Sequence, residues 1–156
     1  MDIPGSMPEQ AQVAAEPAVA SLAMAEMFAL WAVRLWVSAY RGGGNLLPQL
    51  RHGFTLAGMP RAWLELDEFM TRLLGSVKRP LDIRAVATSS ISCDEDGMLR
   101  WLAGLQRGEL PPADCAHLRA IAVPGARLAV SFSKAGLQFR NAPAGAMADA
   151  PSEAIH

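Results

Sequence analysis

Three side chains in this chain have types and spacing that could do chemistry: Cys93, Cys115 and His117. Cys93 follows Ser92, and Ser92 with Glu95 has the S-x-x-E spacing of a helix capping box. The thiol therefore falls in the first turn of a predicted helix, where exposed N–H groups favour a thiolate. Cys115 falls in the first turn of the next predicted helix, two residues before His117. Together the three could act as a thiol pair or as three ligands of a metal ion. The spacing speaks against the metal: C-x-H is not a zinc pattern, there is no C-x-x-C, and a fourth ligand would have to be His52 or an acid. Buried cysteine otherwise behaves as a small apolar residue, and that plainer role is the one expected here. No cofactor is expected.

The remaining motifs are weaker. Arg41-Gly42-Gly43-Gly44-Asn45 precedes a helix start, where anions can bind, but it lacks the lysine and Ser/Thr of a P-loop and is not G-x-G-x-x-G. It reads as a tight turn. Ser131 and Lys134 form S-x-x-K, yet the companion S-D-N and K-T-G elements are absent. Glu65, Asp67 and Glu68 crowd one helix without the Glu-x-x-His pairs of a di-metal bundle, so they read as a solvated face. The three histidines, one of them the terminal His156, leave little acid–base repertoire near neutral pH. A non-enzymatic protein is the expectation.

Apolar side chains offer a different kind of site. Met24, Met27, Phe28, Trp31 and Trp36 form a stripe that either packs in the core or faces a partner, since methionine-rich stripes suit adaptable binding surfaces. The first helix offers more apolar surface than four short helices would cover. A protein partner or a second copy of the chain is therefore expected, with peripheral membrane association through residues 18–40 as an alternative.

These residues need elements to position them. Residues 1–15 read as a flexible tail, 16–140 as one helical domain, and 141–156 as a second flexible tail. A long helix is predicted from about Pro17 to Arg41, stopped by the glycine run. On a helical wheel Glu16, Glu26, Arg34, Ser38 and Arg41 share one polar arc. Asn45 caps a shorter helix to about Ala57. Pro60 opens a third, with Trp63, Leu66, Phe69, Met70, Leu73 and Leu74 on one face and Arg61, Glu65, Glu68 and Arg72 on the other, closed by Gly75. Residues 76–91 read as an irregular connector, long for a helix–helix link. The capped helix follows from Ser92, buries Met98, Leu99, Leu102 and Leu105, and ends at Arg107-Gly108. Pro111-Pro112 opens a further short helix that Val123-Pro124-Gly125 breaks. Residues 126–139 alternate enough for a hairpin, but a helix ending at Gly136-Leu137 is preferred.

Composition bounds the whole. The chain has 156 residues, enough for one domain with a real core. It is 51% hydrophobic and 19% charged, which excludes a disordered polyampholyte. Two cysteines make no disulfide framework. Net charge is −1, so no nucleic acid is expected as partner; the mildly basic middle third has its arginines facing glutamates. The apolar run 18–40 contains Glu26 and Arg34, each costly in a bilayer, and the first residues lack a signal peptide's basic and apolar regions. A cytoplasmic location follows as the expectation, and heavy alanine, arginine and glycine usage suggests a GC-rich bacterial genome. The expected fold is all-α: a small bundle of about five helices around a long apolar first helix.

Overall fold

Apolar residues at three- and four-residue spacing build five helices in the computed structural model, which describes residues 16–42 and 46–140. They are α1 (Met24–Gly42), α2 (Leu47–Leu56), α3 (Ala62–Ser76), α4 (Cys93–Gln106) and α5 (Ala116–Lys134). The fold is all-α, and among the described residues the one extended pairing is an isolated bridge between Ala18 and Ser90. The expected tails, 1–15 and 141–156, and the Asn45 cap lie outside the described residues.

α3 lies along α5, which also packs on α4, and α1 touches α2, α3 and α4. The shared core takes Leu66, Phe69 and Met70 from α3, Leu102 from α4, Leu128 and Phe132 from α5, Val33 from α1 and Phe54 from α2. Burying each of these large side chains contributes about 1.5–3 kcal/mol. The charged face of α3 emerges as expected only in part. Glu68 pairs with Arg72 one turn on, whereas Glu65 accepts a hydrogen bond from Ser131 of α5.

Three helix boundaries differ from the sequence reading. The chain from Val123 to Gly125 does not break a helix; it lies inside α5. Pro124 lacks the N–H that would bond the Ala120 carbonyl, and Ala120 is exposed, so water can replace that donor. Gly125 supplies the compensation. A Cβ there would stand 2.9 Å from both Phe69 and Leu105, so its absence lets three helices close on one point. The hairpin alternative for 126–139 falls with this, and the Gly136 ending is confirmed. Gly136 has φ +83°, and the Leu137 N–H donates to the Phe132 carbonyl, closing α5 as a Schellman motif. Pro111-Pro112 does not open this helix; it begins at Ala116, with Cys115 at its cap.

The long first helix starts seven residues later than expected, at Met24 rather than Pro17. The reason is tertiary. The Pro17 carbonyl accepts from the Ile91 N–H and the Val19 N–H donates to the Ser89 carbonyl, so this stretch is held extended before a single 3-10 turn over Val19–Ser21. Its partner is the irregular connector, expected over residues 76–91 and found over 77–92, which links α3 to α4.

Candidate functional site

α4 begins as its residues dictate. The Glu95 N–H donates to Ser92 Oγ and the Ser92 N–H donates to Glu95 Oε1, completing the capping box. Glu95 has a second task. Both of its oxygens also accept from Arg34 of α1, at 2.8 Å from Nε and 2.9 Å from the terminal nitrogen. Arg34 is 1% exposed and Glu95 is equally buried, so the two charges face each other away from water. Such a pair survives only if its remaining hydrogen-bonding groups are also met. They are: Arg34 donates to the Thr88 and Ser90 carbonyls, and Glu95 Oε2 accepts the Arg84 N–H. Burial works against the Glu95 charge. The Arg34 guanidinium and the Ser92 and Arg84 N–H groups outweigh it, holding the carboxyl below its usual value.

The polar arc of α1 thus faces the connector and the segment that follows α5. Glu26 accepts the Arg140 N–H, and Arg41 reaches the Leu81 and Ile83 carbonyls. On the connector's outer side Arg79 makes a two-point contact with Asp94, whose carboxyl also accepts the Asp82 N–H. Arg79 first, then this N–H, hold the Asp94 pKa down to about 2. Arg84 bonds Glu16, Asp82 and Ser90, and the Ser92 hydroxyl donates to the Asp82 carbonyl.

The expected interaction stripe is divided. Met24 is 67% exposed, whereas Met27, Phe28 and Trp31 are half-buried. Phe28 packs against Trp31, Phe54 and Phe132. The Trp31 ring lies on Gly53 of α2, where any Cβ would collide with it. Trp36 belongs to the core; its indole N–H donates to Asp67 at 2.8 Å and its ring stacks on Tyr40. Most of the apolar surface of α1 is therefore covered by its own domain, and no helix among the described residues is long and apolar enough to cross a membrane.

The cysteine–histidine set does not come together. Cys93 is exposed at the first residue of α4, Cys115 is half-buried at the cap of α5, and His117 is exposed. Both thiols are free, and no group of three His, Cys, Asp or Glu side chains among the described residues could hold a metal. Ser131 and Lys134 do share a surface, but the Ser131 hydroxyl donates to Glu65 and serves as a tie between α5 and α3.

That surface is a groove of about 390 Å³ along the outer side of α5. Val123, Ala126 and Val130 line it from the helix and Leu110 from the link before it, with Glu65, Arg127, Ser131 and Lys134 as its polar members. Val130 and Leu110 are exposed, at 46% and 43%. Arg127 lies 3.7 Å from Glu68, and Lys134 meets no carboxylate within 4 Å among the described residues. These groove residues carry a helical signal in the sequence, Val123 and Val130 being two turns apart. Dividing the helix at Pro124 hides it. Comparison with protein-family models, with curated proteins and with solved structures finds no match to this chain.

Proposed function

We infer that this is a small non-enzymatic helical protein that binds another protein through the α5 groove. The observation that supports the reading is the contrast in cover. The stripe on α1 is largely used inside the domain, while Leu110, Val123, Ala126 and Val130 form an open apolar floor. From Val123 to Lys134 the groove follows twelve residues of helix, a rise of about 16 Å at roughly 1.5 Å per step. The occupant that fits is an amphipathic helix of about three turns, laid with its apolar edge against the two valines. Arg127 and Lys134 favour a partner that carries carboxylates beside that edge. We place the protein in the cytoplasm, where free thiols such as Cys93 and Cys115 persist.

The test is a photo-crosslinking residue at position 130, with a second at Leu56 of α2, which is more exposed still, as control. The reading expects one defined adduct from position 130, abolished by Leu110→Asp, and none from position 56. An adduct of twice the chain's own mass would make the partner a second copy, which light scattering would show as a dimer. Equal labelling from both positions, or none from either, would end the proposal.

A further inference from the structure

We propose that residues 77–92, together with the paired N-terminal segment 16–19, form a strap that acid releases as one unit while the five helices stay folded. The basis is where its backbone finds partners. Each helix satisfies most of its N–H and C=O groups internally, independent of any titrating side chain. The strap cannot, because it has no regular structure. The N–H groups of Asp82, Arg84 and Ser92 donate to the carboxylates of Asp94 and Glu95. The carbonyls of Leu81, Ile83, Thr88 and Ser90 accept from Arg41 and Arg34. Its apolar anchoring rests on Ile83 and Ile91, which are buried, and on Val19 and Leu81, which are partly buried against the core.

Charged groups meet these carboxyls from every side. Arg34 of α1 faces Glu95, and Arg79 of the strap faces Asp94. Arg84, whose N–H binds Glu95, turns its guanidinium to Glu16 and Asp82. Protonating Glu95 would leave the Arg34 guanidinium buried against a neutral group, and protonating Asp94 would weaken the Asp82 N–H bond. The sign follows from the depressed values. Asp94 titrates at about 2, and Glu95 and Glu16 below their ordinary range. Their stabilisation is complete above the unfolded values of about 4 and is lost as pH falls through the folded ones. The packing of Leu66, Phe69, Leu102 and Leu128 involves no proton.

Amide hydrogen exchange on the full chain reads this directly. Val19, Asp82, Arg84, Ile91 and Ser92 are the reporters, because their N–H groups make the strap's attachments. Met70 and Leu128 report the bundle. After correction for intrinsic rates, reporter protection should fall at least a hundredfold between pH 6 and pH 2, with less than tenfold change at Met70 and Leu128. Loss of both sets together, or retention of both, overturns the proposal. At pH 7, Glu95→Gln should reproduce the acid pattern, and unchanged reporters in a folded E95Q chain would count equally against it. If that variant does not fold, Asp94→Asn decides: Asp82 should exchange at least fivefold faster, and an unchanged rate refutes the strap.

Discussion

Where α3 meets α5, a glycine lets the Phe69 ring settle against bare backbone; where α1 meets the strap, a guanidinium reaches across to four acceptors. The first contact is built from many small attractions, and removing a few atoms from it costs in proportion. The second depends on complete pairing of a few strong groups in a place without water, so losing one leaves the others exposed to the full desolvation penalty. One domain thus holds a graded contact and an all-or-none contact.

Substitutions can break this comparison at its extremes. Arg34→Met should cost the most, about 3–5 kcal/mol in urea unfolding, because it strands the buried Glu95 carboxylate. Adding Glu95→Leu to it sharpens the point. A simple ion pair replaced by two apolar residues is often neutral. Here the double variant should remain about 2–4 kcal/mol below the parent, since the Thr88 and Ser90 carbonyls and the Arg84 and Ser92 N–H groups lose their partners as well. Full recovery of the double variant would mean that the seam is no more than a pair. On the apolar side, Gly125→Val should cost about 1–3 kcal/mol through overpacking against Phe69 and Leu105, even though valine suits a helix better than glycine. Arg79→Ala should have the smallest effect: a slight loss in the urea midpoint that shrinks further in high salt, because this guanidinium lies in solvent.

The sequence shows which parts of this division are local. The capping box of Ser92 and Glu95 is readable because its two partners sit three residues apart, and the amphipathic face of α3 because its period is internal. The Gly136 ending is local too. By contrast, Arg34 is 61 residues from Glu95, and nothing in the helical period of α1 distinguishes a cation facing water from one facing a carboxylate. The delayed start of α1 has the same cause, since Pro17 and Val19 are held by residues 89–91. Pro124 misleads for a different reason. Its local preference is to end a helix, and the close approach that Gly125 allows to Phe69 and Leu105 outweighs it. The groove on α5 became invisible with that division, as did the continuity between Val123 and Val130.

The strap also has a consequence for how this chain can change length. A connection without helix or strand is ordinarily where insertions are accepted, because its ends are fixed and its middle is free. Here Asp82, Arg84, Thr88, Ser90 and Ser92 each meet a particular side-chain atom, so the spacing between them is set like teeth in a rack. One added residue between 84 and 88 would shift every later contact by a step. The link from 109 to 114, exposed for most of its length, has a single contact of this kind, from Arg119 to the Pro111 carbonyl. Two stretches that both look like loops thus differ in kind: one can lengthen, and the other is measured.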